Sequence, residues 1–461
     1  MKEFETSFIE HFSNGLRPES PSRRNEPFLS ECHNLRPYPE GLRAYEVLVD
    51  PLTGTVIDWP FPQLFIGKKY KLYFTETELY EVAANWSKTK KLETLGSGTR
   101  WCVADFYDYI LATNGVKIAY LNLAGDTPVW ATTTGNSAMP LFGTVCEFRG
   151  QLIAGNIKSE WGDCNTNSVI WSRIGYADFS IDTSNESGYY VMPWMGTVQK
   201  VKSAGSYFLV YGTNGVMVAT TAGDHPGFQW THLLDVGISQ KGAVGDDERA
   251  HVFVSQDNEL YMIDAGVDLV RRSGVDFKKL GYKEFISELT ASEIVITFDP
   301  GRREFYISDS ERCFMLTQSG MCEVSQLPTS VCYYNGIRYG TFSNTDDSEV
   351  RVKTSELDLG IRGLKTLGSV EVSGQFPTDL YVGVDWKNDL SSGFNTGGWV
   401  PANPKGVGTP IVTGNELRVK IKSSDYQDVH LGYMKARVKV SDKTNIRGIY
   451  GVGQTGKESG N

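Results

Sequence analysis

The chain has 461 residues, of which 40% are hydrophobic and 22% charged, and it carries a formal net charge of −10. That length allows two or three domains and a large buried core. The acidic balance argues against a protein that grips nucleic acid by neutralising phosphates, while leaving room for a surface that nucleic acid slides past.

The first 45 residues stand apart. RPESPSRRNEP (17–27) is polar and proline-rich, which predicts an extended or mobile arm. HNLRPYPEGLRAY (33–45) reads as an extended segment that turns at Pro39, Glu40 and Gly41 into the first strand. The opening MKEFETSFIEHFSNG lacks the basic-then-apolar pattern of a signal peptide.

Hairpins follow. YDYILATNGVKIA (107–119) and YFLVYGTNGVMVA (207–219) share Thr-Asn-Gly-Val between apolar runs of period two. Asn-Gly flanked in this way is a strong hairpin signal, with positive φ expected at both turn residues. Weaker turns are expected near Glu76, Gly162, Asp257–Asn258, Asp309 and Asp346, giving one turn about every 45 residues. About 40–50 residues is the period of a four-stranded propeller blade, and this long, regular spacing favours a propeller over a sandwich, whose turns recur every 8–12 residues. Within GYKEFISELTASEIV, Tyr282, Phe285, Ile286 and Leu289 recur at helical spacing and predict a short amphipathic helix, with Thr290 and Glu293 as a capping box for a second turn. Past 355, strand-like runs such as DLYVGVDW and ELRVKIK are joined by Gly/Pro/Asn loops.

The expected fold is therefore all-β: an extended N-terminal arm (1–45), a β-propeller of six or seven blades (46–354), a small C-terminal β-sandwich or barrel (355–452) and a flexible tail (453–461).

The usual chemical signatures are missing. The histidines His11, His33, His225, His232, His251 and His430 show no metal-ligand spacing. There is neither G-x-S-x-G nor a Walker A pattern. Cys32, Cys102, Cys146, Cys164, Cys313, Cys322 and Cys332 are odd in number and include no C-x-x-C pair, which fits a reduced site of synthesis. No stretch reaches 18 apolar residues, so no membrane-spanning helix is expected. No catalytic, cofactor or metal site is expected. DDERAH (246–251) and NTDDSE (344–349) read as exposed acidic loops.

Several segments resemble the packaged-DNA stabilisation proteins, also called tail hub or nozzle proteins, of short-tailed bacteriophages. They are NLRPYPEGLRAY (34–45), MGTVQKVKSAGSYFLVYGTNGVMVATTAG (195–223), VGISQKGAVGDDERAHVFVSQDNELYMIDAG (236–266), KEFISELTASEIVITFDPGRREFYIS (283–308) and NGIRYGTFSN (335–344). The resemblance implies a virion tail protein made in the host cytoplasm. Six copies would form a ring below the head-to-tail adaptor, retain packaged double-stranded DNA and pass it at infection without reading its sequence. Spikes, fibres or a needle would attach around that homohexamer. On this reading Asp246, Asp247, Glu248, Asp346, Asp347 and Glu349 are candidates for the acidic lining of a DNA channel. Residues 1–34 are expected to be loose in the monomer and to dock on assembly, and Arg36, Pro37 and Tyr38 are candidates for the same assembly arm. The rival expectations are a tail-associated propeller glycosidase or lyase and a carbohydrate- or receptor-binding tail-tip module.

Overall fold

The computed structural model describes residues 5–12, 14–18, 28–51, 61–123, 129–181, 186–222, 227–247, 250–264, 277–342, 348–359, 363–376, 379–389, 392–424 and 429–440. The chain divides into two units: Val47–Cys313 with Gln326–Thr345, and Met1–Glu46 with Phe314–Ser325 and Asp346–Asn461.

The first unit is a β-propeller of seven blades. Blade 1 holds Gln63–Ile66, Lys71–Phe74, Leu79–Val82 and Lys88–Leu92. Blades 2 to 5 repeat the four-stranded antiparallel plan and begin with Cys102–Phe106, Phe142–Phe148, Val198–Ala204 and Val244–Asp246. Blade 6 contributes Val295–Asp299 and Glu304–Ser308 to this unit, and blade 7 pairs Pro328–Tyr334 with Ile337–Phe342. The first strand of each blade lies next to the axis.

Apolar side chains from adjoining blades interdigitate. Leu72 and Phe74 of blade 1 pack with Ile110 and Leu121 of blade 2. Phe106 and Leu111 pack with Phe142 and Leu152, and Phe148 and Trp171 pack with Phe208 and Val210. Each blade therefore has both faces covered, which is why strands such as Tyr207–Gly212 are buried along nearly their whole length.

The ring closes between blades 7 and 1. Ser330 Oγ accepts the Leu64 amide at 2.8 Å, and Thr329 Oγ1 donates to Pro62 O at 2.6 Å. Val49, which precedes blade 1, pairs in parallel with Tyr339 of blade 7 through amide–carbonyl bonds of 3.1 and 3.0 Å. Trp86 of blade 1 packs on Tyr339 with ring centroids 4.4 Å apart.

Six of the expected turns fall between the second and third strands of blades 1 to 6, but the Asn-Gly turns form differently from the two-residue type. Of Asn114, Gly115, Asn214 and Gly215, only Gly115 has positive φ, at 84°. The asparagine side chains shape these turns. Asn114 Oδ1 accepts the Val116 and Lys117 amides at 3.0 Å, and its Nδ2 donates to Gly96 O at 3.0 Å. Asn214 Nδ2 donates likewise to Met195 O at 2.6 Å. Asp309 accepts the Thr290 amide at 2.8 Å. In all three blades the turn residue ties down the loop that enters its own blade, which is the physical reason for the repeated motif.

The predicted helix is present as Lys283–Ile286, with Tyr282, Ile286 and Leu289 buried. The capping box does not form, because the Glu293 carboxylate accepts the Ser310 hydroxyl.

The second unit corrects the expected boundaries. Among the described N-terminal residues, Glu5–His11 and Leu29–His33 are strands rather than a loose arm, and the proline-rich residues 19–27 lie outside the described residues. Glu5–His11 pairs along its whole length with His430–Val440, and Leu29–His33 pairs with Val350–Thr354 and, in parallel, with Gly320–Val324. Leu35–Tyr38 and Gly41–Ala44 form a hairpin whose second strand continues onto His430–Val440. A Cβ at Gly41, where φ is 140°, would overlap Leu431 O. The C-terminal strands pair with one another, Lys365–Gln375 with His430–Val440 and Tyr381–Lys387 with Glu416–Ser423, and chain from the N-terminus extends the sheets they form. Asn34, fully buried, joins these pieces: its Nδ2 donates to Glu349 O at 3.0 Å, and its Oδ1 accepts the Ser325 amide at 2.9 Å. The hairpin expected around Asp346 is absent as well. Asp346 lies outside the described residues, and the strand after it, Val350–Thr354, pairs with Leu29–His33 and Glu416–Ser423. The expected flexible tail also lies outside the described residues.

Asn114→Ala removes three hydrogen bonds that hold a turn and an entry loop. Urea denaturation is expected to show a loss of about 2 kcal/mol. Asn114→Asp, which keeps the acceptor, is expected to lose less, and equal losses for the two variants would refute the turn's dependence on Oδ1.

Candidate functional site

The seven inner strands enclose an axial cavity of about 410 Å³. Its polar lining includes Arg100, Cys102, Lys200, Lys202, Asp246 and Thr297. Arg100 lies in the loop entering blade 2. Lys200 and Lys202 lie two apart on the inner strand of blade 4, so period two directs them to one face. Asp246 ends the inner strand of blade 5, and Thr297 lies on that of blade 6.

The charges are unevenly paired. Lys202 Nζ meets Asp246 Oδ1 at 2.8 Å. Lys200, only 8% exposed, donates to Val244 O at 2.9 Å. Lys241, beside the cavity and also buried, donates to Arg100 O at 2.9 Å, linking the loops that enter blades 5 and 2. Arg100 Nη2 donates to Thr329 O of blade 7, while its Nη1 is buried and has no protein partner. Thr297 Oγ1 is likewise buried and unpartnered.

Burial disfavours these charges. It pulls the Lys200 ammonium down to about 7, with Lys202 adding repulsion, and brings the Arg100 guanidinium to about 10. Burial also lowers Lys241. For the Cys102 thiol, burial pushes upward, but Lys241, Lys200 and the Thr144 hydroxyl 3.5 Å away outweigh it and leave the thiol below its usual value. For Asp246, burial is outweighed by Lys202, His251 and Lys200, and the carboxyl titrates low.

His251 stands behind this cluster with no exposure. Its Nε2–H donates to Ser203 O at 3.0 Å, and its Nδ1 lies 2.8 Å from the Tyr211 hydroxyl, from which it accepts when the ring is neutral. Burial takes its pKa down to about 4.

The residues singled out from sequence are scattered. Asp246 faces the propeller's own axis and is neutralised by Lys202. Asp247 pairs with Arg303 at 3.0 Å. Glu349 belongs to the second unit, where it pairs with Arg351 at 2.8 Å and Lys422 at 3.8 Å. These three carboxylates are therefore ion-paired. Glu248, Asp346 and Asp347 lie outside the described residues. Arg36, Pro37 and Tyr38 form a strand of the Leu35–Ala44 hairpin, with the Tyr38 ring between the guanidinium groups of Arg36 and Arg43 at 4.4 and 4.7 Å; pairing and cation–π contact fix them within the fold. Sequence reading missed the cationic axis. Its one local signal was the pair Lys200 and Lys202, spaced by two within the strand VQKVKSA. Among the described residues no group of three or more His, Cys, Asp or Glu could hold a metal ion, and no helix is long and apolar enough to cross a membrane.

No protein-family model matches the sequence, and no curated protein matches it at significant similarity. Solved structures align with the chain at low identity. PorZ, a bacterial surface component of the type-IX secretion system of Porphyromonas gingivalis, aligns at 10% identity and TM-score 0.36 over 63% of this chain and 35% of its own. The present chain thus spans about a third of PorZ. Kluyveromyces lactis Hsv2p aligns at 12% identity and TM-score 0.32 over 61% of this chain and 84% of its own. BamB of Moraxella catarrhalis aligns at 12% identity and TM-score 0.37, over 61% and 79%.

The buried neutral His251 makes a pH prediction. Its folded pKa, about 4, lies below the usual 6.5, so the unfolded chain binds more protons between those values and stability falls as pH drops through that window. The contribution is on the order of 3 kcal/mol. Denaturant midpoints measured from pH 7 to pH 4 are expected to show this fall, and His251→Gln is expected to flatten it. An unchanged pH slope in the variant would contradict the assignment.

Proposed function

We propose that this chain is a structural tail protein of a short-tailed bacteriophage, a nozzle or hub subunit. Six copies form a ring below the head-to-tail adaptor, hold the packaged genome and provide its exit channel. The observation that carries this reading is how the resembling segments map onto the fold. Residues 34–45 supply the hairpin that begins at the buried Asn34, while 195–223, 236–266 and 283–308 run through blades 4, 5 and 6.

The first and last described strands of the chain pair with each other over seven residues, Glu5–His11 with Tyr433–Lys439. Because the pairing is antiparallel, Glu5 and Lys439 lie at the same end of the ladder, and the second unit holds both ends of the described chain together. The second unit is further stitched by Asn34, which bonds to Ser325 and Glu349.

A glycosidase is less favoured. Hydrolysis of a glycoside calls for two carboxylates flanking the bond, whereas the described lining of the axial cavity offers one, Asp246, already paired with Lys202.

Native mass measurement of the purified chain, alone and with the adaptor ring of its own particle, tests the proposal. A complex of six copies on the adaptor is the expected result, together with loss of packaged DNA from particles lacking the chain. A monomer that never joins the adaptor and releases reducing ends from host glycan would overturn it.

A further inference from the structure

We propose that the axial cavity of the propeller binds a small tetrahedral oxyanion of the phosphate class, held by Arg100 and Lys200 with the Thr297 hydroxyl as a third donor. This site is internal to the propeller and does not depend on the tail reading.

The case begins with charge. Three cationic side chains and one carboxylate line the cavity, and Lys241 stands beside it. Lys202 takes the carboxylate. Among the described residues no carboxylate is left within ion-pairing distance of Arg100, Lys200 or Lys241, each of which bonds only to a backbone carbonyl. Gathering buried cations without a counter-ion is costly, and proteins normally pair them or bind an anion. The unused donors match an oxyanion. Arg100 has a buried Nη1 with no partner, Lys200 spends one of its three N–H groups on Val244 O, and the Thr297 hydroxyl, on a residue only 6% exposed, bonds to nothing in the protein.

The donors come from the loop entering blade 2 and from the inner strands of blades 4 and 6, and all three residues line the one cavity. Guanidinium and ammonium groups together provide the charge-assisted bonds that a tetrahedral anion accepts. At about 30 Å³ per water in the liquid, the cavity has room for an orthophosphate or sulfate with part of its hydration shell.

Protonation makes the site readable. The groups acting on Lys200 are Lys202 on its own strand, Asp246 and His251 of blade 5, and Arg100 and Cys102 of blade 2. With these neighbours the empty site leaves Lys200 largely neutral at pH 8. An anion beside it restores the ammonium, so binding takes up a proton at pH 8 and takes up little at pH 6, where Lys200 is already charged.

Isothermal titration of the full chain at constant ionic strength tests this. Orthophosphate probes affinity, and sulfate, which does not itself titrate in this range, probes proton uptake in two buffers of different ionisation heat. The expected result is saturable binding at one site per chain, with proton uptake at pH 8. Arg100→Gln and Lys200→Met are each expected to weaken binding at least tenfold, and Lys200→Met to abolish the proton uptake while leaving the fold intact by circular dichroism. Saturable binding that neither variant weakens by more than twofold would overturn the proposal, as would heats that chloride reproduces. Should a variant fail to fold, the wild-type titration decides: saturable sulfate binding with proton uptake at pH 8 supports the site, and no saturable binding up to tens of millimolar sulfate excludes it.

Discussion

The propeller depends on one closure. Seven blades can exclude water from their faces only if the last packs on the first, and nothing in the local sequence of either blade makes that happen. The junction is made by polar groups at the axis and by one strand at depth. Thr329, Ser330 and Thr341 engage Pro62 O and the Leu64 amide, while Val49 pairs with the second strand of blade 7. The Thr329 and Ser330 hydroxyls also meet that of Thr341, at 2.9 and 2.7 Å. This buried polar cluster sits where two distant stretches of chain must meet in one register. A satisfied polar network specifies that meeting more sharply than apolar packing would, because any slip leaves buried hydroxyls and amides without partners.

Closure also creates the interior. Once the inner strands face one another, side chains that were separate in sequence become a shared environment. Arg100, Lys200, Lys241, Asp246 and Thr297 come from four blades or their entry loops, and their mutual burial shifts the ionisation of all the titratable members. The chain as a whole is acidic, yet the space at the propeller's centre is cationic. Net charge describes the molecule as a distant ion meets it and says nothing about a cavity whose charge is set by the few ionisable residues that line it.

This accounts for what could be read in the sequence. Local patterns were legible: the period-two strands, the turns of blades 1 to 6, the Pro39–Gly41 hairpin and the short helix at Lys283–Ile286. Each is decided by neighbours a few residues away. The partition into units was not legible, because it rests on pairings such as Leu29 with Thr354 and Glu5 with Lys439. Nothing local in Glu5–His11 or Leu29–His33 marks them as strands that complete sheets more than 300 residues later. The ion pairing of Asp246 and Asp247 was hidden for a related reason, since Lys202 and Arg303 are distant in sequence, whereas Arg351, which pairs with Glu349, lies only two residues away.

Native-state hydrogen exchange at the closure tests the central claim most directly. If blade 7 and the Val49 strand lock the ring, the amides of Val49, Leu64 and Gly340 exchange only with the global unfolding that also exposes the blade 4 core at Phe208–Val210. Exchange of those three amides through a local opening, at a free energy well below that of blade 4, would show a ring that stands without its closure and would contradict the account.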